Sequence, residues 1–207
     1  MRMRNITWVT AAILSLLIIL LAVLGTFHDD TFHDYAYERN GAYEQLGGEG
    51  VWQLTENYQA YLDDEAELEV FHDDQARHLE DVKGLYTLGK TLVRILAGLA
   101  AILLFSIGVS RKRTLLFRTT MTRTGIITLS ALLVLAVLAL NWSWFFTGFH
   151  ELFFRGNWAF HPATLMMRLW GGNFFIHAAA YTALKITLTA ASILGIGVGV
   201  KNLTSPR

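Results

Sequence analysis

Two histidines of this chain stand where proton-transfer chemistry can be built. His78 lies in Arg77-His78-Leu79-Glu80-Asp81-Val82-Lys83. On a helix, Asp74 and Asp81 fall four residues before it and three after it, close enough to orient an imidazole or stabilise its cation. Taken alone, a histidine among acids is usually a solvated surface residue, but a place just before an apolar span sets this side chain at the lipid headgroup level. His150 lies in Phe149-His150-Glu151-Leu152-Phe153-Phe154, a polar pair among large apolar side chains. Burying an imidazole there without a partner is costly, so it is either a hydrogen-bonded structural ring or a titratable group placed for acid–base work. His28 and His33, with Asp29, Asp30 and Asp34, offer N and O donors for a metal, but their spacing follows no HExxH-like pattern and the expectation is no metal. Other chemistries lack their residues. The chain has no cysteine, no Gly-x-Ser-x-Gly elbow, no phosphate-binding glycine loop and no serine within 28–87 or 147–173.

The elements that must position these histidines are apolar. Hydrophobic residues make up 53% of the 207, and mean hydropathy is positive, which points to a membrane protein rather than one or two soluble domains. Four segments are long enough for a hydrocarbon core of about 30 Å: 1–27, 88–110, 125–146 and 174–200. The first follows Met1-Arg2-Met3-Arg4, yet its apolar run exceeds a signal-peptide h-region and no small-x-small cleavage site follows, so it reads as a retained span. All 17 acidic residues fall in Asp29–Asp81 or at Glu151, whereas Arg111-Lys112-Arg113, Arg118 and Arg123 cluster in 111–124. Basic residues near span ends stay in the cytoplasm. The expected topology therefore has both termini and the 111–124 loop inside, with 28–87 and 147–173 forming an extracellular cap and 201–207 a cytoplasmic tail. No basic face remains for nucleic acid.

Within 28–87, Val51, Leu54, Tyr58, Tyr61 and Leu62 recur at helical spacing after Gly47-Gly48 and Gly50, and Asp73–Thr87 reads as a helix running into the second span. The 147–173 loop is crowded with Phe149, Phe153, Phe154, Trp158, Phe160 and Trp170, continuing a belt begun at Trp142, Trp144, Phe145 and Phe146. One reading is an interfacial girdle. The other, favoured by the embedded His150, Glu151, Arg155 and Asn157, is a lid lining a lipid-facing pocket. Arg94, near the outer end of the second span, is placed to snorkel to headgroups or hold a lipid carbonyl or phosphate. Lys185 lies deep in the fourth span, and Gly195-x-Gly197-x-Gly199 suggests close helix packing.

Three stretches together resemble the bacterial lipoprotein intramolecular transacylases: Glu56-Asn57-Tyr58 to Tyr61-Leu62; His78-Leu79-Glu80-Asp81-Val82-Lys83; and Phe149-His150-Glu151-Leu152-Phe153-Phe154 followed by Trp158-x-Phe160-x-Pro162. The resemblance covers almost the whole chain. It implies an all-α integral membrane enzyme, four transmembrane helices under a mostly helical cap, that moves the sn-2 acyl chain of a lipoprotein's S-diacylglyceryl group to the α-amine of its N-terminal cysteine. It implies His78 and His150 as the catalytic pair. Asp81, Tyr58, Tyr61, Arg94, Phe149, Phe153, Phe154, Asn157 and Trp158 are the candidates for orienting them or binding substrate. It implies no cofactor, diacylglyceryl-modified lipoproteins and membrane lipids as partners, and a monomer. Relatives carry Asp before the proline and a Pro-Glu pair before the final Phe-Phe, where this chain has His161-Pro162 and Gly172-Asn173-Phe174-Phe175. Two other classes compete: a non-catalytic receptor or accessory protein with an acidic cap, which leaves the histidine motifs unused, and a metal-dependent membrane hydrolase built on His28–Asp34.

Overall fold

A computed structural model describes residues 3–204 except His72, Arg155 and Asn157, with the side chains of residue 3 and residues 200–204 also left aside. The described elements are helices: α1 (Met3–Thr26), α2 (Asp30–Asn40), α3 (Ala42–Leu46), α4 (Gly48–Leu62), α5 (Asp73–Gly108), α6 (Arg113–Leu138), α7 (Trp142–Phe153), α8 (Leu165–Trp170) and α9 (Phe174–Thr204). Four of them, α1, α5, α6 and α9, are long and apolar enough to cross a membrane. The chain divides into two compact units, one of Met1–Val23, Lys90–Val137 and Thr182–Arg207, the other of Leu24–Gly89 and Leu138–Tyr181.

The first unit is inverted relative to a soluble protein. Ile95, Ile102, Phe105, Leu133 and Leu188 are exposed, while Thr7, Thr10, Ser15, Thr120, Thr124 and Thr128 are buried. Most of these hydroxyls satisfy themselves on the preceding turn, as Thr10 Oγ1 donates to Ile6 O and Thr120 Oγ1 to Leu116 O. Ser15 also reaches Thr124 O of α6 at 3.2 Å, a small polar contact of the kind that joins helices where apolar burial supplies no net drive. Glycine sets the α6–α9 approach. A Cβ on Gly125 would lie 2.6 Å from Leu194 Cβ and 3.0 Å from Ala190 O, and one on Gly197 would lie 2.6 Å from Thr122 N, whereas Gly195 and Gly199 have open space. Gly125→Val should therefore cost about 1–3 kcal/mol or more through overpacking. Gly98→Ala, which meets nothing within 4 Å, should be neutral or stabilising, since alanine is the better helix former. Thermal unfolding in detergent separates the two; equal melting temperatures would refute the close packing.

The second unit has an ordinary apolar core of Phe32, Tyr37, Val51, Tyr58, Leu62, Phe71, Leu169, Trp170 and Phe174. Asp29 caps α2 by accepting from the Phe32 N–H, and Gly41, with φ of 77°, closes it in the left-handed conformation. Trp170 stacks on Phe71 at 5.5 Å and donates its Nε1–H to Tyr37 Oη at 3.2 Å, and that phenol in turn bonds Thr55 Oγ1 at 2.8 Å. Asn40 Nδ2 donates to Leu169 O at 2.8 Å, and Gln75 Oε1 accepts from the Met166 N–H, so α8 is tied to α2 and α5 by side-chain-to-backbone bonds.

Two expected boundaries are corrected. The segment 111–124, expected as a loop, is helical from Arg113, because its basic residues alternate with Leu115, Leu116, Phe117 and Met121 and contain no breaker. The segment 125–146, expected as one span, is broken between Leu138 and Trp142: Asn141 turns the chain and caps α7 by accepting from the Trp144 N–H at 3.2 Å. Hydropathy misses this break because both sides of Asn141 are apolar.

Candidate active site

His78 sits on α5 ahead of its apolar length, and His150 sits near the end of α7; both belong to the second unit. Their rings lie 6.0 Å apart between centroids, nearly parallel at 18°. The turn after α7 completes the arrangement. Phe154 leaves the helix in extended conformation while its N–H still bonds His150 O at 2.8 Å. That geometry lays its ring against both imidazoles, 4.6 Å from His78 and 5.2 Å from His150. Phe160 covers His78 at 5.5 Å, and Phe146 and Trp158 cover His150 at 4.0 and 4.9 Å. His150 is buried and His78 half-buried.

His150 Nδ1 lies 2.8 Å from the carbonyl of Phe146, one helical turn back. A carbonyl oxygen only accepts, so Nδ1 carries the hydrogen and the neutral ring presents its lone pair at Nε2. Burial, and after it the proximity of His150, push His78 down to about 4, with Asp81 offsetting only part of the shift. Burial likewise lowers His150, against the Phe146 carbonyl. At neutral pH both rings are therefore uncharged. Each disfavours a proton on the other, so the pair holds one proton at a time. This is an arrangement for receiving a proton on one ring and passing one on, inside an aromatic shell.

Of the other residues singled out in the sequence, Asp81 is exposed and acts on His78 through its charge, while Asp74 pairs with Arg77 instead. Phe149 packs edge-on against His150 at 5.6 Å. Phe153 contacts Phe149, not the histidines, and both are exposed over a little under half of their surface. Tyr58 is in the core, 4.8 Å from Trp170, and burial raises its hydroxyl pKa. Tyr61 lies under Lys83, whose Nζ is 4.1 Å from the ring centroid. Arg94 is exposed in the first unit, and Asn157, like Arg155, lies outside the described residues. Phe146 and Phe160, which the sequence offers only as parts of the aromatic belt and of the third motif, belong to this shell. Phe146 has the one helical-turn spacing to His150 that could have identified it.

His28 and His33 form no part of this cluster. His28 Nε2 is 2.9 Å from Tyr86 Oη and 3.4 Å from Asp63 Oδ2. His33 is buried among Phe32, Tyr37 and Phe174, and burial pushes it down to about 4. Among the described residues no three His, Asp or Glu side chains gather as a metal site.

The family model for "Lipoprotein intramolecular transacylase Lit" matches residues 8–175. No curated protein matches the chain. Among solved structures, the membrane integral lipoprotein intramolecular transacylase Lit from Bacillus cereus, carrying a histidine-to-alanine mutation, superposes with a TM-score of 0.79 at 18% identity, covering 98% of this chain and 96% of that one. A histidine-to-arginine mutant of the same protein gives 0.77 at 18% identity, covering 98% and 95%. The likeness is thus of fold across essentially both chains, and the match of 8–175 takes in both histidine motifs. The chain belongs to the lipoprotein intramolecular transacylase family and is a multi-pass membrane acyltransferase.

Proposed function

We propose that this enzyme moves the sn-2 acyl chain of an S-diacylglyceryl lipoprotein to the α-amine of the lipoprotein's N-terminal cysteine, with His78 and His150 as its acid–base pair. The observation that carries this reading is the stacked pair of neutral imidazoles in an aromatic shell. The α-ammonium, with an ordinary pKa of about 7.7–8.0, gives a proton to one ring. The freed amine attacks the sn-2 ester carbonyl, the C–N bond forms, and the imidazolium just made stabilises the oxyanion. On collapse the C–O bond breaks and the imidazolium protonates the departing glyceryl oxygen. The amide nitrogen then releases its remaining extra proton to water by way of the pair. The sum is ammonium plus ester giving amide, alcohol and one proton. No enzyme nucleophile is required, because the substrate carries both donor and acceptor. Holding them in a reacting conformer can supply about 7–11 kcal/mol.

The two acyl chains stay in lipid while ester and amine meet the histidines, for which the exposed Phe149, edge-on to His150, and Phe153, packed on Phe149, are suited. The enzyme works as a monomer with its acidic segments outside and both termini in the cytoplasm, as the basic 111–123 cluster favours. Because the native chain has no cysteine, orientation is testable with single-cysteine variants. Glu67→Cys should react with a membrane-impermeant maleimide in intact cells and Ser110→Cys only after permeabilisation; the reverse pattern would invert the topology. The reaction itself is tested by incubating purified protein with a diacylglyceryl lipopeptide. Substrate and product are isomers, so the readout is loss of the free amine and the N-acyl fragment in tandem mass spectrometry. Persistence of the free amine would refute the reaction.

A further inference from the structure

Beside the histidine pair, and not used by the chemistry above, is a cavity of about 330 Å³ lined by Val70, Asp73, Asp74, Gln75, Ala159, Phe160, His161 and Thr164, at the small end of ligand-binding pockets. It shares a wall with the active site, since Phe160 packs on His78 at 5.5 Å and also faces the cavity. Asp74 stands four residues, about 6 Å along α5, from His78. Its lining is unsuited to an acyl chain, because apolar contact would strip water from two carboxylates and an imidazole without replacing their hydrogen bonds. It suits a short stretch of polypeptide, whose amides and side chains can meet such groups. The charge of its lining is one-sided, with the carboxylates of Asp73 and Asp74 and no lysine or arginine. An extended chain advances about 3.3–3.6 Å per residue, so the first one to three residues after a cysteine held at the histidines reach this space.

We propose that this cavity is the subsite for the residues that follow the lipidated cysteine of the substrate, and that it selects cationic over acidic side chains there. The assignment rests on the transacylase reading and names a second determinant of that same site, recognition of the polypeptide in addition to the lipid. Arg77, paired with Asp74, limits how much of the local negative charge is on offer. Asp73, exposed and at the start of α5, carries more of the selectivity.

The test uses the purified full chain in detergent with three substrates bearing the same diacylglyceryl group: cysteinamide with nothing after it, Cys-Ser-Lys-Lys and Cys-Ser-Glu-Glu. The wild-type enzyme is expected to process the lysine peptide at least about tenfold more efficiently than the glutamate peptide, as kcat/KM, corresponding to about 1.4 kcal/mol. Asp73→Asn should shrink that ratio and leave cysteinamide unchanged. Asparagine tolerates the backbone φ of 52° at this position, so the change removes charge without strain. Ala159→Trp, which fills the cavity, should cut the rate on both peptides at least tenfold and spare cysteinamide. Acyl migration on all three substrates with no peptide preference in the wild-type enzyme overturns the subsite alone, and this comparison needs no variant to fold. Equal losses on cysteinamide and peptides in Ala159→Trp also overturn it. No migration on any substrate overturns the transacylase reading with it.

Discussion

His78→Ala and His150→Ala are each expected to slow N-acylation by about 10²–10⁴, the usual cost of losing a positioned general acid or base. The rings are 6.0 Å apart and share one shell of Phe154, Phe160, Phe146 and Trp158, so they act as a unit. Groups that act as a unit are not additive. The double variant should therefore be little slower than either single one, with the residual rate supplied by orientation of the substrate. His28→Ala, which removes a contact to Tyr86 and Asp63 outside the cluster, should keep the rate within a few-fold. Initial rates on a diacylglyceryl lipopeptide, with melting temperatures to confirm folding, decide the matter. A loss at His28 equal to that at His78 would point away from the pair, and so would additive losses in the double variant.

Much of this architecture is legible in the residues because its determinants are local. The four long apolar helices follow from hydropathy, and the inward face of α4 follows from the spacing of Val51, Leu54, Tyr58 and Leu62. The same spacing argues that Tyr58 belongs to the core, where it packs on Trp170; the motif resemblance, which does not distinguish packing from binding, made it a substrate candidate. Local periodicity also places Asp81 beside His78. It cannot show that Asp74 prefers Arg77, since both partners lie within one helical turn of Asp74 and rotamers decide. The approach of His150 to His78 is beyond such reasoning. It depends on Asn141 starting a new helix at Trp142 and on Phe154 turning back over the rings, one polar cap and one extended residue within an otherwise apolar run. The cavity at Asp73 is likewise invisible, because it is made by Val70 and residues 73–75 meeting residues 159–161 and 164 in space.

The pH dependence carries the second large effect. The productive reactants are an uncharged histidine pair and an ammonium substrate, and kcat/KM reports the free forms of both. An imidazole at its ordinary 6.5 would be about 3% neutral at pH 5 and would leave the enzyme roughly 30-fold below its plateau. In this site burial and the neighbouring ring hold His78 at about 4, and burial lowers His150 as well. A lowered pKa moves the loss of the neutral form to lower pH, so the acid limb should shift from 6.5 toward about 4. Activity at pH 5 should then stay close to its value at pH 7. On the alkaline side the limit belongs to the substrate. Above its pKa of about 7.7–8.0 the ammonium that charges the ring is depleted, so kcat/KM through this route should fall about tenfold per pH unit; a neutral amine can then supply the glyceryl oxygen only with the proton its own nitrogen loses on acylation, relayed by the ring. Initial rates at subsaturating lipopeptide between pH 4.5 and 9 would trace this plateau. An acid limb centred near 6.5 would mean that at least one histidine titrates as if solvated, and the stacked pair in its aromatic shell could not then be the reacting arrangement. A rate that instead holds or rises through pH 9 would show that the neutral amine is the reactant and that the proton reaching the glyceryl oxygen is the one its own nitrogen gives up through the ring, which removes the initial charging of the pair by the ammonium from the mechanism.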